Sequence, residues 1–200
     1  TKLRQICIEP HVLYENYQGE AIKIEKLIEI LKAYAKENHK MLIFSSFKRI
    51  LDLLKIRLEE EHISFYSIDG SVKSKERLPL VDKFNADNTS CLLITLKSGG
   101  TGLNLTSADV VIHLDIWWNP QVENQATDRA HRIGQTKKVI VNKLITKGTI
   151  EERILELQTK KRILSDNLIE ENTNTEMLSS LSEAEIKELL KQKSILVKEI

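Results

Sequence analysis

Two cysteines, Cys7 and Cys91, are all that 200 residues contain, and they stand far apart in apolar surroundings. A disulfide framework and a zinc site are argued against, and a reducing compartment is expected. No apolar run approaches the roughly 20 residues a bilayer-spanning helix needs, so no membrane partner is expected. No signal peptide is read at the start, where Thr1 stands in place of methionine and the pattern opens midway. The chain is therefore expected to be a piece of a longer one. Neither sign of charge dominates: 30 Lys and Arg against 29 Asp and Glu leave a net +1, so a nucleic-acid footprint has to be local. There is no internal repeat, no low-complexity tract, no G-x-x-x-x-G-K-[ST] loop and no D-E-x-x box.

What is present suits one large domain, with 41% hydrophobic residues to build a core. Residues 1–20 carry a short helical signal (Leu3, Ile6, Cys7) and a loop. Helical periodicity follows over Ala21–Glu37, Ile50–Glu61 and Ser74–Ala86. Between and after these lie short apolar runs read as strands at Met41–Phe44, Ser64–Ile68, Cys91–Thr95, Val110–Leu114 and Val139–Leu144. A long helix is expected from Thr149 to about Glu170, opened by a T-x-x-E box. Glu171–Ser180 reads as a linker, and a last helix begins at a second such box, Ser182 to Glu185. Strands alternating with helices, four of the five strands continuously apolar, predict an α/β fold. Its sheet would be parallel, with helices on both faces. Ligands of such sheets bind at the carboxyl ends of the strands. The loops to watch are Ser45-Ser46-Phe47, Asp69-Gly70-Ser71, Lys97 to Gly102 and Asp115 to Asn119.

The stretch Thr95–Gln135 gathers the chemistry. Ser98-Gly99-Gly100-Thr101-Gly102 follows a strand and lets backbone amides approach a phosphate, although a tight turn explains it equally. Asn119 and Pro120 read as N-cap and first residue of a helix that Gly134 should stop. Gln125, Arg129 and Arg132 then fall at i, i+4 and i+7, on one face. Two guanidiniums in one direction suit an oxyanion such as phosphate; the alternative is a solvated face paired to Glu123 and Asp128. Trp117 and Trp118 cannot both point inward, so one is expected at the strand-end surface. Asp69-Gly70-Ser71 with Lys73, Lys75 and Arg77 offers amides, a hydroxyl and charge to a phosphodiester, or is a plain surface turn. His131 is read as a structural hydrogen-bonding residue, and Asp115 as one half of an ion pair, holding an arginine.

Together these residues match a known family. Ser98-Gly-Gly-Thr-Gly-Leu-Asn-Leu, Trp118-Asn-Pro-Gln and Gln125-x-x-x-Arg129-Ala-His-Arg132-Ile-Gly-Gln135 resemble the second motor lobe of Swi/Snf-type DNA translocases. These belong to the superfamily-two helicase-like ATPases. Leu42-Ile-Phe-Ser45 resembles motif IV, Asp69-Gly70-Ser71 the following DNA-contact loop, and Gly148-Thr149-Ile150-Glu151-Glu152 the start of a brace helix. DEAD-box relatives carry a further arginine and glycine where this chain has Gln135-Thr136.

The resemblance implies a RecA-like lobe at 21–148, a lead-in at 1–20, a brace helix at 149–170, and a linker and terminal helix at 171–200. Arg129 and Arg132 look like arginine fingers reaching the γ-phosphate of ATP, with Gln125 orienting within the cluster and Gly100 and Gly102 at the nucleotide cleft. Ser45, Ser46, Gly70, Ser71, Lys97, Ser98 and Trp118 look like contacts to the DNA backbone. Lys97 stands where many relatives have arginine, and Trp117 where others have a polar residue. ATP with magnesium would be held mainly by an N-terminal RecA-like lobe of the same protein, and this piece alone, monomeric, would not hydrolyse it. The implied partner is double-stranded DNA, and the location a nucleoid-associated cytoplasm or a nucleus, according to the cell. A non-catalytic DNA-binding or partner-docking lobe stays open as the alternative. A strand-separating helicase would need an inserted hairpin that is not visible, and a nicotinamide-binding domain a glycine fingerprint after the first strand.

Overall fold

A computed structural model describes residues 1–99, 102–168 and 182–190. Its strands are β1 (Met41–Ser45), β2 (Phe65–Ile68), β3 (Cys91–Thr95), β4 (Val110–His113) and β5 (Ile140–Lys143). They form one wholly parallel sheet in the order β2-β3-β1-β4-β5. The helices are α1 (Lys2–Ile8), α2 (Ile22–Lys36), α3 (Lys48–Glu60), α4 (Ser74–Ala86), α5 (Leu96–Gly99), α6 (Pro120–Thr127), α7 (Ile150–Leu168) and α8 (Glu183–Leu190), with a 3₁₀ turn at Pro10–Val12.

Successive side chains of a strand point to opposite faces, and each face here has its own core. Met41, Ile43, Cys91, Leu93, Val110 and Ile112 pack under α2 and α3, which present Ile24, Leu27, Ile28 and Leu31, and Ile50, Leu51, Leu54 and Leu58. Leu42, Phe44, Leu92, Ile94 and Val111 pack under α4 and α6 with Val81, Phe84 and Ala126. β1, β3 and β4 are buried throughout, whereas β2 and β5 are the partly exposed edges. Fully burying each large aliphatic side chain stabilises the fold by about 1.5–3 kcal/mol, which is why the central strands read as unbroken apolar runs. Pro79 lies inside α4 on its exposed side without ending the helix.

The topology sets the site. From β1 the chain runs to β2 through α3, on the first face. From β2, β3 and β4 it runs in the opposite direction through segments on the second. The neighbours β1 and β4 therefore send their following loops to opposite faces, leaving a crevice between their carboxyl ends. That is the switch point at which such sheets bind ligands.

Two elements differ from expectation. α6 stops at Thr127 instead of running to Gly134. The i→i−4 pattern tightens to i→i−3 bonds, Arg129 N to Ala126 O at 3.2 Å and Ala130 N to Thr127 O at 3.0 Å. Leu105 N takes the Arg129 carbonyl at 3.0 Å, and Gly134 is a turn residue with φ +103°. Lys97–Gly102 is not all loop either, since Leu96–Gly99 forms one helical turn. The Asn119 cap is as expected: its side chain accepts from Gln121 N at 3.0 Å, with Pro120 opening the helix. The Ser182–Glu185 box is reciprocal, at 3.2 and 2.7 Å. At α7 the box is displaced by one residue: Thr149 Oγ1 accepts from Glu151 N at 3.2 Å and Glu152 Oε2 from Gly148 N at 2.9 Å. The expected linker Glu171–Ser180 and the far end of the long helix lie outside the described residues.

Candidate functional site

Strand register lines the candidate loops up. Ser45 pairs with Thr95, Ile68 with Ile94 and Phe44 with His113, so Asp69, Thr95, Ser45 and Leu114 form one row at the carboxyl edge. Just beyond it, Gly70 and Ser71 are exposed. Asp69 Oδ1 accepts from the Ser71 amide and hydroxyl at 2.7 and 2.5 Å, which fixes the turn. Burial pushes the Asp69 carboxyl up, but the Ser71 bonds, with Lys48 and Lys55 each 3.6 Å away, outweigh it and hold the group below the usual range. Lys73 and Lys75 are exposed beside the turn, and Arg77 Nε donates to the Val72 carbonyl at 3.1 Å. Lys97 is exposed on α5, whereas Ser98 is buried against the Thr95 hydroxyl at 2.8 Å. Ser45 is fully buried and Ser46 half-buried.

Asp115 explains that last pair. Its Oδ1 accepts from the Ser45 hydroxyl and the Ser46 amide, both at 2.8 Å, and its Oδ2 from Arg4 Nη2 of α1. Asp115 therefore does hold an arginine, and the one it holds comes from the lead-in. The apolar pattern of α1 does not point to Arg4, because Leu3 is exposed and Arg4 and Ile8 form the buried face.

The arginines meet the glycine loop by a different route. Since α6 is short, Gln125 is exposed on its last turn, while Arg129 and Arg132 sit in the turns beyond it and do not share a helical face. Arg132 Nη1 donates to the Gly102 carbonyl and its Nε to the Asp128 carbonyl, both at 3.2 Å. Gly102 has φ +63° with open space around it, so backbone conformation and not crowding calls for glycine. Gly100 lies outside the described residues. Burial, then the Arg132 charge, pulls the Arg129 guanidinium below its ordinary pKa, with Asp128 opposing. Its Nε is buried without a hydrogen-bond partner. Among the described residues neither arginine forms an ion pair, so the alternative of a face paired to carboxylates is not what holds them. Glu123 is turned inward instead, accepting from Trp117 N at 2.5 Å and Gln158 Nε2 at 2.9 Å and pairing with Lys143 at 2.5 Å. His131 is exposed, and among the described residues its side chain makes no hydrogen bond, whereas His113 Nε2 lies 3.1 Å from Thr127 Oγ1. Gln135 closes the segment, its amide reaching the carbonyls of Thr106 at 3.1 Å and Ala108 at 2.8 Å.

Both tryptophans are half-buried, their rings 6.0 Å apart and tilted. Trp117 packs on the second core with Arg4 4.7 Å over its ring. Trp118 lies under Lys161 Nζ of α7, 5.1 Å from its ring, and Lys161 pairs with Glu185 of α8 at 3.2 Å. A second bond from α7, Gln158 to the Trp117 carbonyl, clamps the same loop.

This fold and this pairing of a glycine loop with an arginine turn define a helicase-type lobe. The model of the helicase conserved C-terminal domain matches residues 22–134. A putative ATP-dependent helicase/translocase, YwqA of Bacillus subtilis, is 44% identical over 94% of this chain and 21% of its own length. The ISWI chromatin-remodeling complex ATPase ISW1 of Saccharomyces cerevisiae is 39% identical over 90% of this chain and 16% of its own. The crystal structure of the C-terminal part of the Fun30 ATPase domain superposes with a TM-score of 0.67 at 38% identity, covering 76% of this chain and 52% of that one. The chain belongs to the helicase conserved C-terminal domain family, as the RecA-like C-terminal lobe of a Swi/Snf-type protein. It spans about a fifth of the length of the curated relatives it matches.

Proposed function

We propose that this lobe serves an ATP-dependent double-stranded DNA translocase, with Arg129 and Arg132 as arginine fingers. The arginine turn carries the reading. Two guanidiniums lie close enough to perturb one another, one fixed to Gly102, the other with a buried Nε unpartnered, and neither neutralised by a carboxylate among the described residues. Such a pair suits the γ-phosphate of a nucleotide held by a facing lobe, where developing charge spreads over the equatorial oxygens. Gln125 would orient within the cluster, and Gly100 and Gly102 would supply backbone to the cleft. Among the described residues no group of His, Cys, Asp and Glu is arranged to hold a metal, and the donors here suit phosphate oxygens. Magnesium and the rest of ATP belong, in this reading, to the N-terminal lobe.

The carboxyl-edge row would meet the backbone of one DNA strand. Gly70 and Lys97 are its exposed donors, Ser71 with both of its protons on Asp69 shapes the turn beside them, Ser46 and Trp118 lie half-buried behind them, and Ser45 and Ser98 brace them. Phosphate contacts position without reading sequence, which suits a motor that must move along any sequence. ATP binding would close the cleft and hydrolysis reopen it, stepping the lobes along the duplex without strand separation. Residues 21–148 would be the motor lobe, with 149–170 as its brace and 1–20 as a lead-in. The protein would work in the nucleoid or the nucleus.

The test is ATP hydrolysis by the full-length protein with and without linear duplex, together with displacement of a third strand from a triplex. Duplex-stimulated hydrolysis and ATP-dependent displacement are expected, and no turnover by the 200-residue chain alone. DNA binding with no stimulated hydrolysis would replace this reading with that of a non-catalytic binding module.

A further inference from the structure

Arg4 lies outside the segment the family model matches, and none of the roles above uses it. Yet it is among the most elaborately held side chains of the chain. Its guanidinium lies over both the Phe47 and Trp117 rings, 5.0 and 4.7 Å from their centroids. It pairs with Asp115, whose side chain is 0% exposed, and donates to Ser46 Oγ at 2.9 Å. Phe47 and Ser46 follow β1; Asp115 and Trp117 follow β4. Arg4 thus reaches from α1 into the crevice where the sheet's topology reverses and closes it from outside the sheet.

We propose that Arg4 is a positioning residue for backbone binding, holding the Ser46 hydroxyl so that its proton faces a phosphodiester oxygen. The inference rests on the DNA reading above. A hydroxyl has one proton to donate and two lone pairs. Ser45 donates its proton to Asp115 and accepts from Phe47 N at 3.2 Å, so it is fully committed to the scaffold. Ser46 has its amide on Asp115 and accepts from Arg4, which leaves its own proton free to donate. Of the two serines, Ser46 is the one the geometry equips for phosphate. Both bonds leave one nitrogen, Nη2, and arginine is required because its planar cation also lies over the Phe47 and Trp117 rings, which the compact, strongly hydrated ammonium of lysine does not reproduce. The nearby Lys23 cannot substitute, being engaged with Glu151.

In the full-length protein, the duplex concentration that half-saturates ATP hydrolysis, the rate at saturating duplex, and the melting temperature would be measured for Arg4→Gln, Arg4→Lys, Ser46→Ala and Arg4→Gln/Ser46→Ala. Each single variant is expected to raise the half-saturating concentration about tenfold, the size of one charge-assisted hydrogen bond. The saturated rate should stay within about twofold, and the double variant should be no worse than the worse single. A lowered melting temperature with an unchanged half-saturating concentration would overturn the proposal, as would effects of Arg4→Gln and Ser46→Ala that multiply. If Arg4→Gln fails to fold, Arg4→Lys and Ser46→Ala decide by the same comparison. A wild type unresponsive to duplex would sink the DNA reading itself, and this inference with it.

Discussion

Removing Lys23 should destabilise this lobe far more than a single surface lysine would. Its side chain is 6% exposed and its ammonium meets Glu151 Oε2 at 2.5 Å, with the carbonyls of Leu144 at 2.9 Å and Leu114 at 3.3 Å. One nitrogen thus ties α2 to the ends of β4 and β5 and to the first turn of α7. Glu151, 0% exposed, also accepts from Thr146 N at 2.8 Å. Lys23→Met would leave a buried carboxylate without its countercharge, a change that costs about 3–5 kcal/mol. At 2–4 °C per kcal/mol for a chain of this size, the melting temperature should fall by about 6–20 °C. Burial pulls the Lys23 pKa down, and Glu151 only partly restores it, so attraction does not fully offset desolvation. Lys23→Met/Glu151→Leu should therefore recover part of the loss, though the two carbonyls remain unpaired. Urea unfolding of the 200-residue chain, followed by circular dichroism, measures both. Lys23→Met within about 1 kcal/mol of wild type, or strictly additive single effects, would refute the reasoning.

Three further outcomes are expected. His113 is buried against Phe44, and burial, then the Lys143 charge, pushes its pKa down to about 4. Between pH 6.5 and 4 the unfolded chain binds the extra proton, so stability should fall as pH drops through that window, by roughly 3 kcal/mol in all; His113→Leu should flatten that slope in urea titrations. Cys91, buried with its pKa raised to about 12, should resist a thiol reagent at pH 8 until the chain unfolds; labelling at the native rate of an exposed thiol would contradict its burial. Gln135→Ala removes the amide that reaches the Thr106 and Ala108 carbonyls and should cost about 1–3 kcal/mol in the same unfolding assay, an exposed-site value near zero being the contrary result.

The layered fold was legible because burial on both faces forces unbroken apolar runs: Met41–Phe44, Cys91–Thr95 and Val110–Leu114 all became central strands. The Asn119-Pro120 start of α6 was legible because capping is local chemistry. Its end was not, since it depends on Leu105 bonding the Arg129 carbonyl and on Ala130 packing into a distant core. The motif residues Arg132 and Gly102 could be named from sequence, but their contact joins residues 30 positions apart. Arg4 and Glu123 were beyond reach for the same reason. A charged residue within an apolar pattern looks like surface until the Asp115 or Lys143 that neutralises it is in view.

The central claim is that the arginine turn completes a nucleotide site on a facing lobe. The most direct measurement is single-turnover ATP hydrolysis by the full-length protein bound to duplex, comparing wild type with Arg132→Ala and Arg129→Ala. Loss of about 10³–10⁵ in the rate of the chemical step, with ATP and DNA still bound, is the predicted result. Hydrolysis at the wild-type rate in both variants would contradict it and leave the turn a structural hinge on Gly102.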